Sequence, residues 1–225
     1  MRELFNIKCN KCKVEFIASY PLLPSVLDCI NGYYAEILNL IKNHPVDNSS
    51  FGYQYGLIVS FVRSSITIEN LILNGMNIEA ICLIRKQLEL LARLEELNTK
   101  DYSELRCKVP NVKFAGIKKQ TYSQLSEISH SSLRETLHLL GITESNEGES
   151  LELSITPIFD NNLVVSLNYQ IDLFFSFFSW IEQSVIKNIS KDKFSHDCKW
   201  IYEEFIPKGV KSKVPYFDRF RNDKE

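Results

Sequence analysis

The sequence predicts a mainly α-helical protein, a helical bundle built on an antiparallel helix hairpin with a small β hairpin at its N-terminus. Three observations lead to this prediction. Apolar residues recur at helical spacing through most of the chain. Asn74-Gly75 joins two such stretches by a short connection, which makes long neighbouring helices pack side by side. Residues 1–20 instead form two short runs, 3–8 and 13–18, that are typical of strands joined by a turn.

Composition places the chain among ordinary globular proteins. It has 225 residues, of which 44% are hydrophobic and 24% charged, and this suits one main domain. The net charge of −2 provides no overall attraction to nucleic acid or to a membrane. The N-terminus lacks the uninterrupted apolar core of a signal peptide, so we expect a cytoplasmic protein whose cysteines are thiols, with no membrane partner.

The N-terminal hairpin, residues 1–20, is predicted to be an appendage that carries Cys9 and Cys12 in its turn. A Cys-x-x-Cys turn brings two thiolates to one point and can supply half of a tetrahedral zinc site. The remaining ligands would have to come from His196 and Cys198 if the C-terminus folded back. The alternative is an ordinary reduced turn without a cofactor.

The bundle domain is predicted to span residues 21–206. A helix over 25–43 ends at His44-Pro45, because the residue before proline is pushed out of helical geometry. A helix that begins at about Phe51 or Gln54 and ends at Leu73 forms the central hairpin with a helix over 77–98, and Asn77 is expected to cap the second of them. A long connector follows, and its basic residues are either a solvated surface or a binding loop for an anion or RNA. The candidate binding residues of this loop are Arg106, Lys108 and Lys113.

Polar and apolar residues divide the next helix, predicted over 120–140. Tyr122, Ser126 and His130 fall at i, i+4 and i+8, so their polar tips share one face. The last long helix, in residues 163–189, is rich in phenylalanine, and Asn161 or Asn162 is expected to cap it. Its apolar face is wide enough to be covered on two sides, which predicts a homodimer or a protein partner there. Residues 207–225 are predicted to be an extended tail.

Arg85 interrupts the apolar stripe of the 77–98 helix. A buried arginine remains charged and has five donors to satisfy, so it requires a carboxylate, carbonyl groups or a cleft. Glu89, one turn further on, is a local partner. The face of Tyr122, Ser126 and His130 is a more distant one, and together these residues would form a cationic pocket for a phosphate or carboxylate.

Several motifs along residues 55–135 resemble a known family. They are Arg63-Ser64, Gly75-x-x-x-Glu79-Ala80, Leu83-x-Arg85-x-x-x-Glu89 and Leu125-Ser126-x-x-x-His130. This pattern is similar to a group of uncharacterised bacterial all-helical proteins that is regarded as distantly related to the HEPN helical bundles. The resemblance implies a setting in phage defence or a toxin-antitoxin system. HEPN ribonucleases carry an arginine four to six residues before a histidine on one helix, and His130 lacks that arginine here.

Three functions are therefore open from the sequence. The first is a non-enzymatic helical module that acts through a dimer or a partner, which the missing arginine-histidine motif and the phenylalanine-rich helix favour. The second is a divergent, metal-independent ribonuclease in which His130 is the base and Arg85 stabilises charge on phosphorus. The third is a sensor of RNA or of a small anionic ligand that uses the basic loop.

Overall fold

A computed structural model of the chain describes residues 2–42, 49–115, 119–129, 157, 159–186, 196 and 198–221. These residues form helices and turns, and no β-strand occurs among them. The α-helices are α1 (Arg2–Ser19), α2 (Leu23–Lys42), α3 (Ser49–Leu73), α4 (Asn77–Glu96), α5 (Tyr102–Leu105), α6 (Lys119–Ser129), α7 (Asn161–Ile181), α8 (Cys198–Trp200) and α9 (Ile206–Lys211). Val112–Ala115 and Pro215–Phe220 are 3₁₀ turns, and Glu182–Ile186 and Ile201–Phe205 are π-helical turns.

The predicted N-terminal β hairpin is wrong, because residues 2–19 form the single helix α1. Cys9, Cys12 and Phe16 are its buried residues, and their spacing of three and four positions places them on one helical face. The ring of Phe16 meets that of Phe159 edge-on at 5.0 Å between centroids. Residues 2–19 are therefore helical because this narrow stripe packs on the core, although the two short runs in the sequence are typical of strands.

The central hairpin is present as predicted and consists of α3 and α4. Gly75 adopts a left-handed conformation with φ of 76°, which glycine tolerates without steric cost. The amides of Gly75 and Met76 donate to the carbonyl groups of Ile72 and Leu71, so the last turn of α3 is closed. Asn77 does not cap α4 as expected. It is buried, and its side-chain oxygen accepts a hydrogen bond of 2.6 Å from Ser166 of α7.

A buried polar cluster, which we call the Ser65 cluster, joins four helices. The Ser65 hydroxyl of α3 lies 3.0 Å from the Tyr34 hydroxyl of α2 and 2.5 Å from the Gln87 amide nitrogen of α4. The same amide of Gln87 also donates to the carbonyl oxygen of Phe61 at 3.0 Å. Gln170 of α7 donates to the backbone carbonyl of Ser65 at 3.0 Å. Because buried polar groups are costly when unpaired, these bonds set the positions of the four helices relative to one another.

Helix α7 is covered on most sides by its own chain. Phe174, Phe177 and Trp180 are buried, and the ring of Phe177 stacks on Phe61 of α3 at 4.2 Å between centroids. The helix is capped by Asp160 rather than by Asn161 or Asn162, since the Asp160 carboxylate accepts from the amide of Leu163 at 3.1 Å.

The C-terminal residues up to 221 are packed helices and turns, and the predicted extended tail is not observed in them. Val214 and Phe217 are completely buried, and Tyr216 donates a hydrogen bond of 3.0 Å to Asp172 of α7. The guanidinium of Arg219 lies over the Tyr216 ring at 4.0 Å. Apolar side chains spaced among the lysines of this segment therefore hold it against α7.

One helix among the described residues, Phe51–Leu73, is long and apolar enough to cross a membrane by length and composition alone. A core helix of a soluble protein passes the same test. The helix packs against α4 and α7. A cytoplasmic location stays a prediction from the sequence.

Two glycine substitutions are predicted to have opposite effects on stability. A Cβ atom on Gly209 would lie 2.2 Å from the buried ring of Phe217, so Gly209→Ala should cost about 1–3 kcal/mol through overpacking. A Cβ atom on Gly32 of α2 would meet nothing within 4 Å, so Gly32→Ala should stabilise by about 0.4–1 kcal/mol. Urea unfolding followed by circular dichroism measures both. Equal effects of the two substitutions would show that the C-terminal segment does not pack as described.

Candidate functional site

The structure brings three of the predicted site residues together in an Arg85 cluster. Arg85 and Glu89 of α4 form an ion pair of 3.4 Å between Nη2 and Oε1, with 22% and 29% of their side chains exposed. The guanidinium of Arg85 lies 5.6 Å from the centre of the Tyr122 ring of α6. The Tyr122 hydroxyl donates a hydrogen bond of 2.7 Å to the same Glu89 oxygen.

The charges in the Arg85 cluster compensate one another. Burial and the hydrogen bond to Glu89 raise the pKa of Tyr122, so its phenol remains protonated at neutral pH and acts as a donor. The carboxylate of Glu89 thus accepts from the phenol and neutralises the guanidinium. Chemically, the cluster is a polar crosslink between α4 and α6 that already contains the anion an arginine site requires.

Of the two further residues of the predicted pocket, Ser126 and His130, the structure describes only Ser126. Ser126 is half-buried on α6, one turn after Tyr122. His130 lies outside the described residues, and the predicted contact between Arg85 and His130 stays a prediction. The neighbouring Ser129 donates its hydroxyl hydrogen to the carbonyl oxygen of Leu125 at 2.7 Å, which is a local bond within α6.

The arginine that is fully buried in α4 is Arg93, which the sequence analysis missed. Arg93 Nη1 and Glu96 Oε2 form an ion pair of 3.0 Å, and their side chains are 5% and 4% exposed. Arg93 also donates to the carbonyl oxygen of Lys108, and Glu96 accepts from the amide of Asn111 at 3.0 Å. The sequence does contain a signal for this pair, because the two charges stand three residues apart among apolar neighbours.

The ion pair of Arg93 and Glu96 therefore pins the connector after α5 onto α4. Between its two anchors the loop is irregular, and the residue before Lys108, Cys107, adopts a left-handed conformation with φ of 63°, which is unusual for a side chain other than glycine. Arg106, Lys108 and Lys113 have exposed side chains, and Val109 is 81% exposed. The buried pair thus attaches this basic loop to α4 at two points and leaves its cations in solvent.

Cys9 and Cys12 lie one turn apart on α1 and face the core. Burial and the charge of Glu15 raise the pKa of the Cys12 thiol to about 11, and burial also raises the pKa of Cys9. Both are therefore protonated at neutral pH, whereas zinc binds the thiolate. Within the described ranges, no three His, Cys, Asp or Glu residues are grouped as metal ligands. A zinc ion at these cysteines stays a prediction that metal analysis of the purified protein tests.

His196, the other residue considered as a zinc ligand, contacts α2. Its Nδ1 atom pairs with the carboxylate of Glu36. Its ring lies edge-on to Trp200 at 4.5 Å and to Tyr33 at 6.1 Å. The contact attaches His196, which lies just before α8, to α2 through its pair with Glu36.

Comparisons of the chain with protein-family models, with curated proteins and with solved structures give no match. The resemblance of residues 55–135 to the HEPN-like group therefore stays a prediction.

The two arginines of α4 are predicted to differ in their contribution to stability. Arg93→Met leaves the Glu96 carboxylate buried without its counter-charge and should cost about 3–5 kcal/mol. Arg85→Met removes a partly exposed pair and a cation–π contact, and should cost at most about 1–2 kcal/mol. Urea unfolding measures both values. Hydrogen exchange should become faster at residues 106–111 in Arg93→Met and stay unchanged there in Arg85→Met. A small cost for Arg93→Met would contradict the anchoring role.

Proposed function

We propose that this chain is a non-enzymatic helical interaction module that forms a homodimer through the C-terminal end of its phenylalanine-rich helix. In the bacterial defence or toxin-antitoxin setting that the resemblance implies, such a module acts by assembly. An apolar groove beside α7 is the observation that carries the proposal.

This apolar groove has a volume of about 360 Å³ and lies between the end of α7 and the C-terminal elements. Its walls include Phe175, Phe178, Ile201, Ile206 and Phe220. The size is that of sites which hold a few apolar side chains or a small ligand. Phe174, Phe177 and Trp180 of α7 are buried in the core, whereas Phe175 and Phe178 line this groove.

Two π-helical turns contribute to the walls of the apolar groove. Glu182 and Gln183 belong to the first turn, and Ile201 and Tyr202 belong to the second. Such turns are rare, and they occur disproportionately at functional sites because they displace side chains from the regular helical positions. Their presence on both sides supports a binding role for the groove.

A second copy of the chain is the occupant that suits this geometry. Tyr202 lines the groove and is nevertheless 72% exposed, an unusual cost for an aromatic ring. In a two-fold dimer the same patch is used by both subunits, so each Tyr202 can enter the groove of its partner. Aromatic residues that fill apolar pockets are the side chains that dominate binding energy at interfaces.

The Arg85 cluster supports the non-enzymatic part of the proposal. A ribonuclease that uses Arg85 needs its positive charge to face the phosphate, but Glu89 neutralises that charge and Tyr122 covers it. The energetic cost of opening this ion pair would have to come from substrate binding. A structural role for Arg85 requires no such rearrangement.

We expect the purified protein to sediment as a dimer at micromolar concentration. Tyr202→Ala should weaken the dimer at least about thirtyfold, because buried aromatic anchors commonly contribute about 2 kcal/mol or more. Val109→Ser removes an even more exposed apolar side chain on the basic loop and serves as the matched control. Sedimentation equilibrium over a range of concentrations measures the three proteins. A monomeric wild type, or a dimer unaffected by Tyr202→Ala, would overturn the homodimer.

Total RNA incubated with the wild-type protein should remain intact, as it should with Arg85→Ala. Denaturing gel electrophoresis of the RNA is the measurement, and RNA without protein is the control. Cleavage by the wild type that disappears in Arg85→Ala would replace the proposal with the ribonuclease interpretation.

A further inference from the structure

A second groove lies between α3 and α4, and its chemistry differs from that of the apolar groove. We call it the basic groove. It has a volume of about 510 Å³, and its lining includes Gly56, Ser60, Arg63, Ser64, Thr67 and Lys86. Both charged side chains among the described lining residues are cations. Arg63 and Lys86 are exposed, and neither forms an ion pair within the described part of the chain.

The basic groove exists because α3 carries small residues where a helix pair normally interdigitates. Gly56, Ser60 and Ser64 follow one another at intervals of four positions, so they line one face of α3. A Cβ atom on Gly56 would meet nothing within 4 Å, which shows that the groove is open to the backbone there. The α3–α4 pair, which packs along much of its length, thus leaves this strip unfilled.

Two of the three hydroxyl groups that line the groove, those of Ser64 and Thr67, donate to backbone carbonyl groups of α3. Ser64 donates to the carbonyl oxygens of Ser60 and Phe61, and Thr67 donates to that of Arg63. Their protons are therefore used within α3. An anion in the groove would take its charge-assisted hydrogen bonds from the guanidinium of Arg63 and the ammonium of Lys86.

The basic loop is bonded to α4 nearer to the C-terminal end of that helix than Lys86. Lys86 and Arg93 are seven residues apart on α4, so they lie on the same face, about 10 Å from each other along the helix axis. Arg93 holds the carbonyl group of Lys108, whose own side chain is exposed. The loop that carries Arg106 and Lys108 therefore lies beyond Lys86 towards the C-terminal end of α4.

From these features we infer that the basic groove binds a phosphate group, clamped between Arg63 and Lys86, with the remainder of the ligand directed towards the basic loop. The groove is on the α3–α4 face and does not involve Tyr202, so this inference is independent of the proposed dimer. Two sources of the phosphate are consistent with the chemistry, a free nucleotide and the backbone of a single-stranded RNA.

Titration of the full-length protein with inorganic phosphate, AMP and a twelve-nucleotide single-stranded RNA tests the inference. Isothermal calorimetry should detect binding of at least one probe. The double substitution Arg63→Ala with Lys86→Ala should weaken it about tenfold to a hundredfold, because two charge-assisted contacts are lost. Lys42→Ala removes an exposed lysine at the end of α2 and should leave the affinity unchanged.

Gly56→Leu distinguishes the groove from a diffuse positive surface. The side chain would occupy the open space at Gly56 while all charges remain, so binding should weaken and the unfolding midpoint should not fall. Binding of AMP without RNA would identify a free nucleotide, and binding of RNA alone would identify a polymer. Absence of binding by all three probes, or undiminished binding to both the double variant and Gly56→Leu, would overturn the inference.

Discussion

The hydrogen bonds around Ser65 are the constraint on which the rest of the structure depends. A single residue of α3 is bonded through its hydroxyl to Tyr34 and Gln87, and through its carbonyl to Gln170. A shift of any one helix by a turn would leave buried polar groups without partners, which costs more than an imperfect apolar contact. The apolar side chains provide most of the burial, but many of them would tolerate another register. The polar cluster selects the register in which α2, α3, α4 and α7 meet, and the basic groove between α3 and α4 follows from that register.

Helix α4 shows how the same pair of residue types serves two purposes. Arg85 and Glu89 are partly exposed, and with Tyr122 they join α6 to the hairpin. Arg93 and Glu96 are buried, and they use their remaining donors and acceptors on the backbone of the 106–111 loop. Desolvation of the second pair is costly, and hydrogen bonds to the loop offset part of that cost. The loop is therefore bonded to α4 although it has no regular secondary structure, and the side chains of its cations are exposed.

The two grooves divide the surface chemically. The apolar groove lies beside two π-helical turns and contains an exposed tyrosine, which suits a protein surface. The basic groove is polar and positively charged, because small residues of α3 leave space beside Arg63 and Lys86. The net charge of −2 conceals this second feature, because local clusters of cations are compatible with a nearly neutral chain.

The sequence alone determined the helical class, the central hairpin and the position of its turn, because helical periodicity and the Asn74-Gly75 stop are local properties of the chain. The outer bounds differ from the prediction, since α3 begins at Ser49 and α4 ends at Glu96. The sequence also indicated that Arg85 has a partner within reach at Glu89. Only the tertiary structure decided which charges are buried: Arg93 is inside because a loop distant in sequence covers it, whereas Arg85 lies at the edge of the core.

The conformation of the two termini was likewise decided by the tertiary structure. Residues 2–19 form a helix because Cys9, Cys12 and Phe16 dock on the core, and residues 206–221 are folded because Val214 and Phe217 find space against the bundle. Burial is a property of contacts between distant segments, so the local spacing of Arg93 and Glu96 indicates that they can pair but not that the pair is buried.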